Sequence, residues 1–252
     1  MASEQRSRKA AAVMIDAGAG GRTRGGRRAR VRERPPEDVG EVRMASPEEV
    51  LAALEGLDLQ RPWPEVAPSV VPVLPRWRPF LGGSEEPLLH TWPPGITGTF
   101  GIDLGPAFVY LGDWALRQWG IAQEELAERA LDNVRRWAAT REHALLPETF
   151  AGHLTRALQT GDEWASNLLL LPDELVRAFG PEPCLLIAPM RDILIAMPIA
   201  AEVELAAWLR DELAQIDPNG LDLPVFALVD GRLSIASGEP GGPAPGGGSA
   251  RH

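Results

Sequence analysis

Arg191 and Asp192 stand side by side between two very apolar stretches, residues 184–188 and 193–197. A guanidinium beside a carboxylate at such a place can hold an anionic ligand or share in acid–base work. Three further polar residues interrupt apolar surroundings. Asp103 lies within Gly101-Ile102-Asp103-Leu104-Gly105, Asn133 sits near Ala130 and Trp137, and Ser166 falls between Trp164 and the run 168–171. Buried hydrogen bonding gives each a structural role: Asp192 holds a turn, while Asn133 and Ser166 satisfy backbone groups. Convergence of these side chains on one cleft would favour a ligand site instead.

Other chemistries have little to work with. Lys9 is the only lysine, so beyond it the chain has no phosphate-gripping P-loop lysine, no Schiff-base lysine and no Ser–Lys dyad. Cys184 is the only cysteine, which excludes an internal disulfide and a cysteine-rich zinc site and suits a reducing compartment. It begins an apolar stretch, where a packed thiol is expected. His90, His143 and His153 lack the spacing of metal ligands, and no Gly-x-Ser-x-Gly elbow is present. The sequence therefore implies no metal and no cofactor. The stretch around Asp103 resembles the first phosphate loop of the actin and sugar-kinase ATPases. Pro106 removes a backbone donor there, and too little chain follows for the second domain of that fold. Asp103 is expected instead to accept from the backbone of a hairpin turn.

The elements that must position these residues alternate between strand and helix patterns. Short strands are expected at 70–74 and 88–91, and a hairpin at 99–104 and 107–111 turning around Gly105-Pro106. Asp113 is expected to cap a short helix over 114–119. A longer helix spans 123–139, with Leu126, Ala127, Ala130, Leu131, Val134, Trp137 and Ala138 on one face. Within it, Glu125–Arg129 and Asp132–Arg136 are spaced as i,i+4 ion pairs worth about 0.2–0.5 kcal/mol each. Residues 153–159 are ambiguous in their own pattern, and 164–171 reads as a buried strand or a helix end. A helix over 172–179, strands at 184–188 and 193–197, a helix over 200–215 and a hairpin around Asp230-Gly231 complete the series. Hairpins mixed with helices imply an α+β fold with a mainly antiparallel sheet and two principal packing helices.

Charge is divided unevenly along the chain. Residues 1–43 carry 11 bases against 6 acids, and the remainder carries 14 against 29. Seven arginines fall between Arg22 and Arg34, so 1–43 reads as a disordered Arg/Gly-rich tail able to attract nucleic acid, while the acidic body repels it. Met44-Ala45-Ser46-Pro47-Glu48-Glu49 reads as a better start: Ser46 can cap a helix, Pro47 suits its first position, and the acids face its positive end. The expected organisation is that tail, one α+β domain over 44–237 and a disordered Gly/Pro tail over 238–252. No apolar run is long enough to span a bilayer, and no secretory signal is evident, so a cytoplasmic location without membrane contact is expected.

Val71-Pro72-Val73-Leu74, Asp103-Leu104-Gly105, the helix carrying Asn133, Gly161 followed by Ala165-Ser166, and Pro189-Met190-Arg191-Asp192 occur in an order that resembles the YtpQ-like family of bacterial proteins. The resemblance covers residues 70–237 and implies a cytosolic α+β domain. It brings no established reaction, so no catalytic residue is carried over. Longer members have a larger portion ahead of the Val-Pro-Val-Leu strand, reduced here to a short helix and a Trp/Pro stretch.

The sequence thus reads as a non-enzymatic module that binds a protein or small molecule, with Asp103, Asn133, Ser166, Arg191 and Asp192 as candidate ligand-binding residues. A hydrolase-like enzyme built on Asp103, Arg191 and Asp192, and nucleic-acid association through the arginine tail, are the alternatives.

Overall fold

The computed structural model describes residues 47–55, 58, 60–74, 86–104, 108–141, 144–216 and 220–236. The two expected tails, the Met44 start with its Ser46 cap, the Gly105-Pro106 turn and His143 lie outside the described residues. Helices α1 (Pro47–Glu55) and α2 (Trp63–Val66) and a 3-10 turn (Ala67–Ser69) lead into β1 (Val70–Val73). Then follow β2 (His90–Trp92), β3 (Ile96–Asp103), β4 (Phe108–Tyr110), α3 (Asp113–Trp119) and α4 (Gln123–Ala139). The second half runs β5 (Leu145–Phe150), β6 (His153–Gln159), a 3-10 helix (Ala165–Leu170), α5 (Pro172–Phe179), β7 (Cys184–Met190), β8 (Ile193–Pro198), α6 (Val203–Ala214), β9 (Phe226–Val229) and β10 (Arg232–Ile235).

These strands form two sheets in which every described pairing is antiparallel. In the smaller sheet β3 is central, with β1 along one edge and β2 and β4 sharing the other. The larger sheet has the order β10-β9-β7-β8-β6-β5. Side chains alternate across a strand, and in the larger sheet both faces of the central strands β7 and β8 are buried. Cys184, Leu186, Leu194, Ala196, Phe226 and Leu228 enter one core, shared with Phe100 and Ile102 of β3, Leu126 and Ala130 of α4, and Leu168. Leu185, Ile187, Ile195 and Met197 enter a second core closed by Ala206, Leu209 and Leu213 of α6. The near-continuous apolar runs of β7 and β8 follow from this double burial.

The fold is α+β and antiparallel as expected, but packing is spread over several helices rather than two. Leu175 and Phe179 of α5 and Ala115 of α3 are as buried as the inner faces of α4 and α6. Other local expectations are corrected. Gly112, not Asp113, occupies the cap position of α3, and Asp113 is its first residue. The expected ion pairs of α4 are replaced: Glu125 accepts from the Trp63 indole, and Asp132 pairs with Arg135 at 2.7 Å. Residues 165–170 form a 3-10 helix buried at all six positions, so no face marks its period. Strand β5 was not among the expected elements. It carries Pro147, which an edge strand tolerates because one row of its amides needs no partner. In the β9–β10 turn Asp230 and Gly231 both have positive φ, 49° and 71°, as the two-residue hairpin requires.

Candidate functional site

Strand pairing fixes which residues share the face of the small sheet opposite Phe100 and Ile102. Thr99, Gly101 and Asp103 alternate along β3, and Tyr110 and Phe108 of β4 stand opposite Gly101 and Asp103. A Cβ at Gly101 would lie 2.9 Å from Val73 Cγ2, so glycine keeps β1 and β3 in register beside this face. The large sheet supplies the rest through two connections: the turn from β7 to β8, which bears Arg191 and Asp192, and residues 160–164 after β6.

Asp192 organises these two connections. Its Oδ1 accepts from the Thr160 backbone N–H at 3.2 Å, from the Thr160 hydroxyl at 2.9 Å and from the Gly161 N–H. The Thr160 N–H also reaches the Asp192 carbonyl, at 3.3 Å, and the Ser166 N–H donates to the Arg191 carbonyl at 2.9 Å. The segment so held carries Asp162, Glu163 and Trp164. Asp162 accepts from the Trp137 indole at 2.8 Å and pairs with Arg141 at 2.7 Å. Trp164 stacks on Trp137, with ring centroids 5.5 Å apart, and donates its indole N–H to Asp103 at 3.1 Å. Glu163, between them, has φ 65°, a left-handed conformation that costs a non-glycine residue of order 1 kcal/mol.

Arg191 reaches across to the small sheet. Its guanidinium carbon lies 5.4 Å from the Phe108 ring centroid, and Nη2 donates to the Tyr110 hydroxyl at 3.3 Å. Nη1 lies 3.6 Å from Glu163 Oε2, an ion pair too long for a hydrogen bond. Nε is buried and has no hydrogen-bond partner. The side chain is 13% exposed, so a guanidinium with five N–H donors is largely withdrawn from water with, among the described residues, one long hydrogen bond to protein. Arg210 on α6 shows the opposite condition. It is 3% exposed, but Nη1 donates to the Leu223 carbonyl at 2.8 Å, and Nε and Nη2 both lie 2.7 Å from Asp211 Oδ1. Two buried arginines in one chain thus differ in how well the protein satisfies them.

Four of the five residues singled out in the sequence therefore meet around residues 160–166: Asp103 through Trp164, Asp192 through Thr160 and Gly161, and Arg191 and Ser166 through a backbone bond. Ser166 does not satisfy a backbone group with its side chain; its Oγ is buried and without a partner. Asn133 makes its contacts elsewhere. Its Nδ2 donates to the carbonyls of Ala67 and Val70 at 2.8 and 2.6 Å, and Arg136 donates to its Oδ1. It clamps α4 to the start of β1. Sequence reasoning missed Phe108, Tyr110, Glu163, Trp137 and Trp164 as neighbours of Arg191 and Asp103. One usable signal was Tyr110, the only tyrosine of the chain.

Among the described residues no three His, Cys, Asp or Glu side chains group to hold a metal ion, and no helix is long and apolar enough to cross a membrane. Cys184 is buried at the start of β7, and burial pushes its thiol up; the nearby Arg156 acts against that and Glu182 adds to it. Comparison with protein-family models, curated proteins and solved structures gives no match to this chain.

Proposed function

We propose that this chain is a non-enzymatic binding module and that its ligand is anchored by Arg191 at the junction of the two sheets. One observation carries the reading: the guanidinium is mostly buried, yet among the described residues Nε has no acceptor and the carboxylate paired with the guanidinium stands at 3.6 Å. Buried charges are ordinarily paired and hydrogen-bonded, and an unsatisfied buried polar group costs about 1–3 kcal/mol. A ligand oxygen against Nη1 gives the guanidinium a close acceptor where Glu163 stands only at 3.6 Å. Phe108 and Tyr110 flank the guanidinium and offer apolar surface to the body of the ligand. The enzymatic alternative has less support, because Asp192 Oδ1 is filled by three donors and Asp103 Oδ2 by an indole.

Native mass spectrometry of the protein isolated from its own cells tests this reading. A small molecule carried by the wild type and absent from Arg191→Met is the expected result. A wild type that carries none, together with an Arg191→Met protein that keeps every partner in a pull-down, would overturn it.

We also propose membership of the YtpQ-like family and, with it, a cytoplasmic location. The support is the order of the short motifs from Val71 to Asp192 in the sequence. An experimental structure of a YtpQ-like member with a different strand order would contradict the membership, and recovery of the chain outside the cytosol on fractionation would contradict the location.

A further inference from the structure

We propose that the Arg191 site takes a monoanionic carboxylate borne on an apolar body, and that Glu163 occupies the place of that carboxylate until the ligand displaces it. This rests on the binding reading above and names the ligand's chemistry. Glu163 is the carboxylate nearest Arg191 among the described ion pairs, at 3.6 Å, with a side chain 47% exposed. It is held there by a backbone with φ 65°, between Asp162 and Trp164, whose side chains are both anchored. A contact that is long, half-solvated and made from a left-handed backbone is weak, as exposed ion pairs are. An incoming carboxylate can approach the same guanidinium with two parallel hydrogen bonds, a geometry that Arg favours.

The charge of the surroundings selects a monoanion over a phosphate dianion. Asp103, Asp162, Glu163 and Asp192 are all drawn to residues 160–164 and their neighbours. The second cation of the cluster, Arg141, is committed to Asp162 at 2.7 Å and lies over the Trp137 ring. With Arg141 committed, four carboxylates surround a single guanidinium, so a second negative charge on the ligand costs more than the first and a monoanion is preferred to a dianion. The Phe108 ring beneath the guanidinium calls for an organic body rather than a bare ion.

Calorimetric titration of the full chain with benzoate and, separately, with inorganic phosphate tests the inference, using wild type, Glu163→Gln and Arg191→Met. Benzoate should bind Glu163→Gln about fivefold tighter than wild type, the size expected when a weak competing ion pair is removed. It should not bind Arg191→Met, whose fold is checked by circular dichroism. Phosphate binding tighter than benzoate would overturn the ligand class and leave the site intact. Equal benzoate affinity in wild type and Glu163→Gln would overturn the displacement. A molecule co-purified through Arg191, with no benzoate binding to any variant, would likewise overturn the carboxylate assignment alone. If neither anion binds Glu163→Gln and no molecule co-purifies, the binding reading itself fails.

Discussion

The indole of Trp164 donates to Asp103 across 3.1 Å and ties the segment after β6 to the end of β3. Through it the two sheets, whose described strands do not pair with one another, acquire a polar link beside their shared core. Trp164→Phe retains an aromatic ring to stack on Trp137 and removes the donor. The expected loss is about 1–2 kcal/mol, since the bond is charge-assisted but only partly buried. In a double-mutant cycle with Asp103→Ala, measured by urea unfolding, the two losses should be less than additive.

Asn133 is expected to matter for stability and not for binding. Asn133→Ala leaves the Ala67 and Val70 carbonyls without their buried donor and should cost about 2–3 kcal/mol. The urea midpoint should fall while any ligand affinity measured under folding conditions stays unchanged.

Asp192 is expected to act on the backbone around it. Asp192→Ala removes the side-chain acceptor of the Gly161 amide and leaves Thr160 its bond to the backbone carbonyl of residue 192, so the Gly161 amide should exchange hydrogen faster than in wild type while that of Thr160 changes less. Arg191 and Glu163 should then lose their fixed separation, and global stability should fall by about 1–2 kcal/mol.

Cys184 sets a pH dependence. Its thiol is raised in the folded protein, chiefly by burial, from a usual value of 9.0. Below that value both states hold the proton and stability is unaffected. As pH rises past it the unfolded thiol ionises first, so the unfolded state is favoured and stability declines toward the higher folded value. Urea unfolding of Cys184→Ala should show a shallower alkaline decline than wild type, and iodoacetamide should modify the native wild-type thiol more slowly than the unfolded one.

Local signals made part of this molecule readable. The helix Gln123–Ala139 follows from one apolar stripe, and the last hairpin from Asp230-Gly231, because both are set by residues a few positions apart. What escaped depends on distant partners. Strand β5 exists by pairing with β6, and its exposed Pro147 and Glu148 give it little strand character alone. The 3-10 helix Ala165–Leu170 is buried all round and shows no period. At the site, Arg191 and Asp192 stood out because charges interrupt apolar strands. Their partners did not: Tyr110 lies 81 positions from Arg191, and Trp164 lies 61 from Asp103. The distinction between Arg191 and Arg210, two arginines beside an aspartate, depends on how many acceptors the fold brings to each.

That distinction is the central claim, and equilibrium urea unfolding of Arg191→Met and Arg210→Met, without added ligand, tests it most directly. Methionine keeps the apolar stem of either side chain and removes its charge. Arg210→Met should lose about 2–3 kcal/mol, because it strands the Leu223 carbonyl and removes the charged hydrogen bonds of a buried guanidinium to the half-exposed Asp211. Arg191→Met should lie within about 0.5 kcal/mol of wild type or above it, because an under-satisfied buried charge is removed. An Arg191→Met loss as large as that of Arg210→Met would show that Arg191 is a structural arginine and would contradict the account.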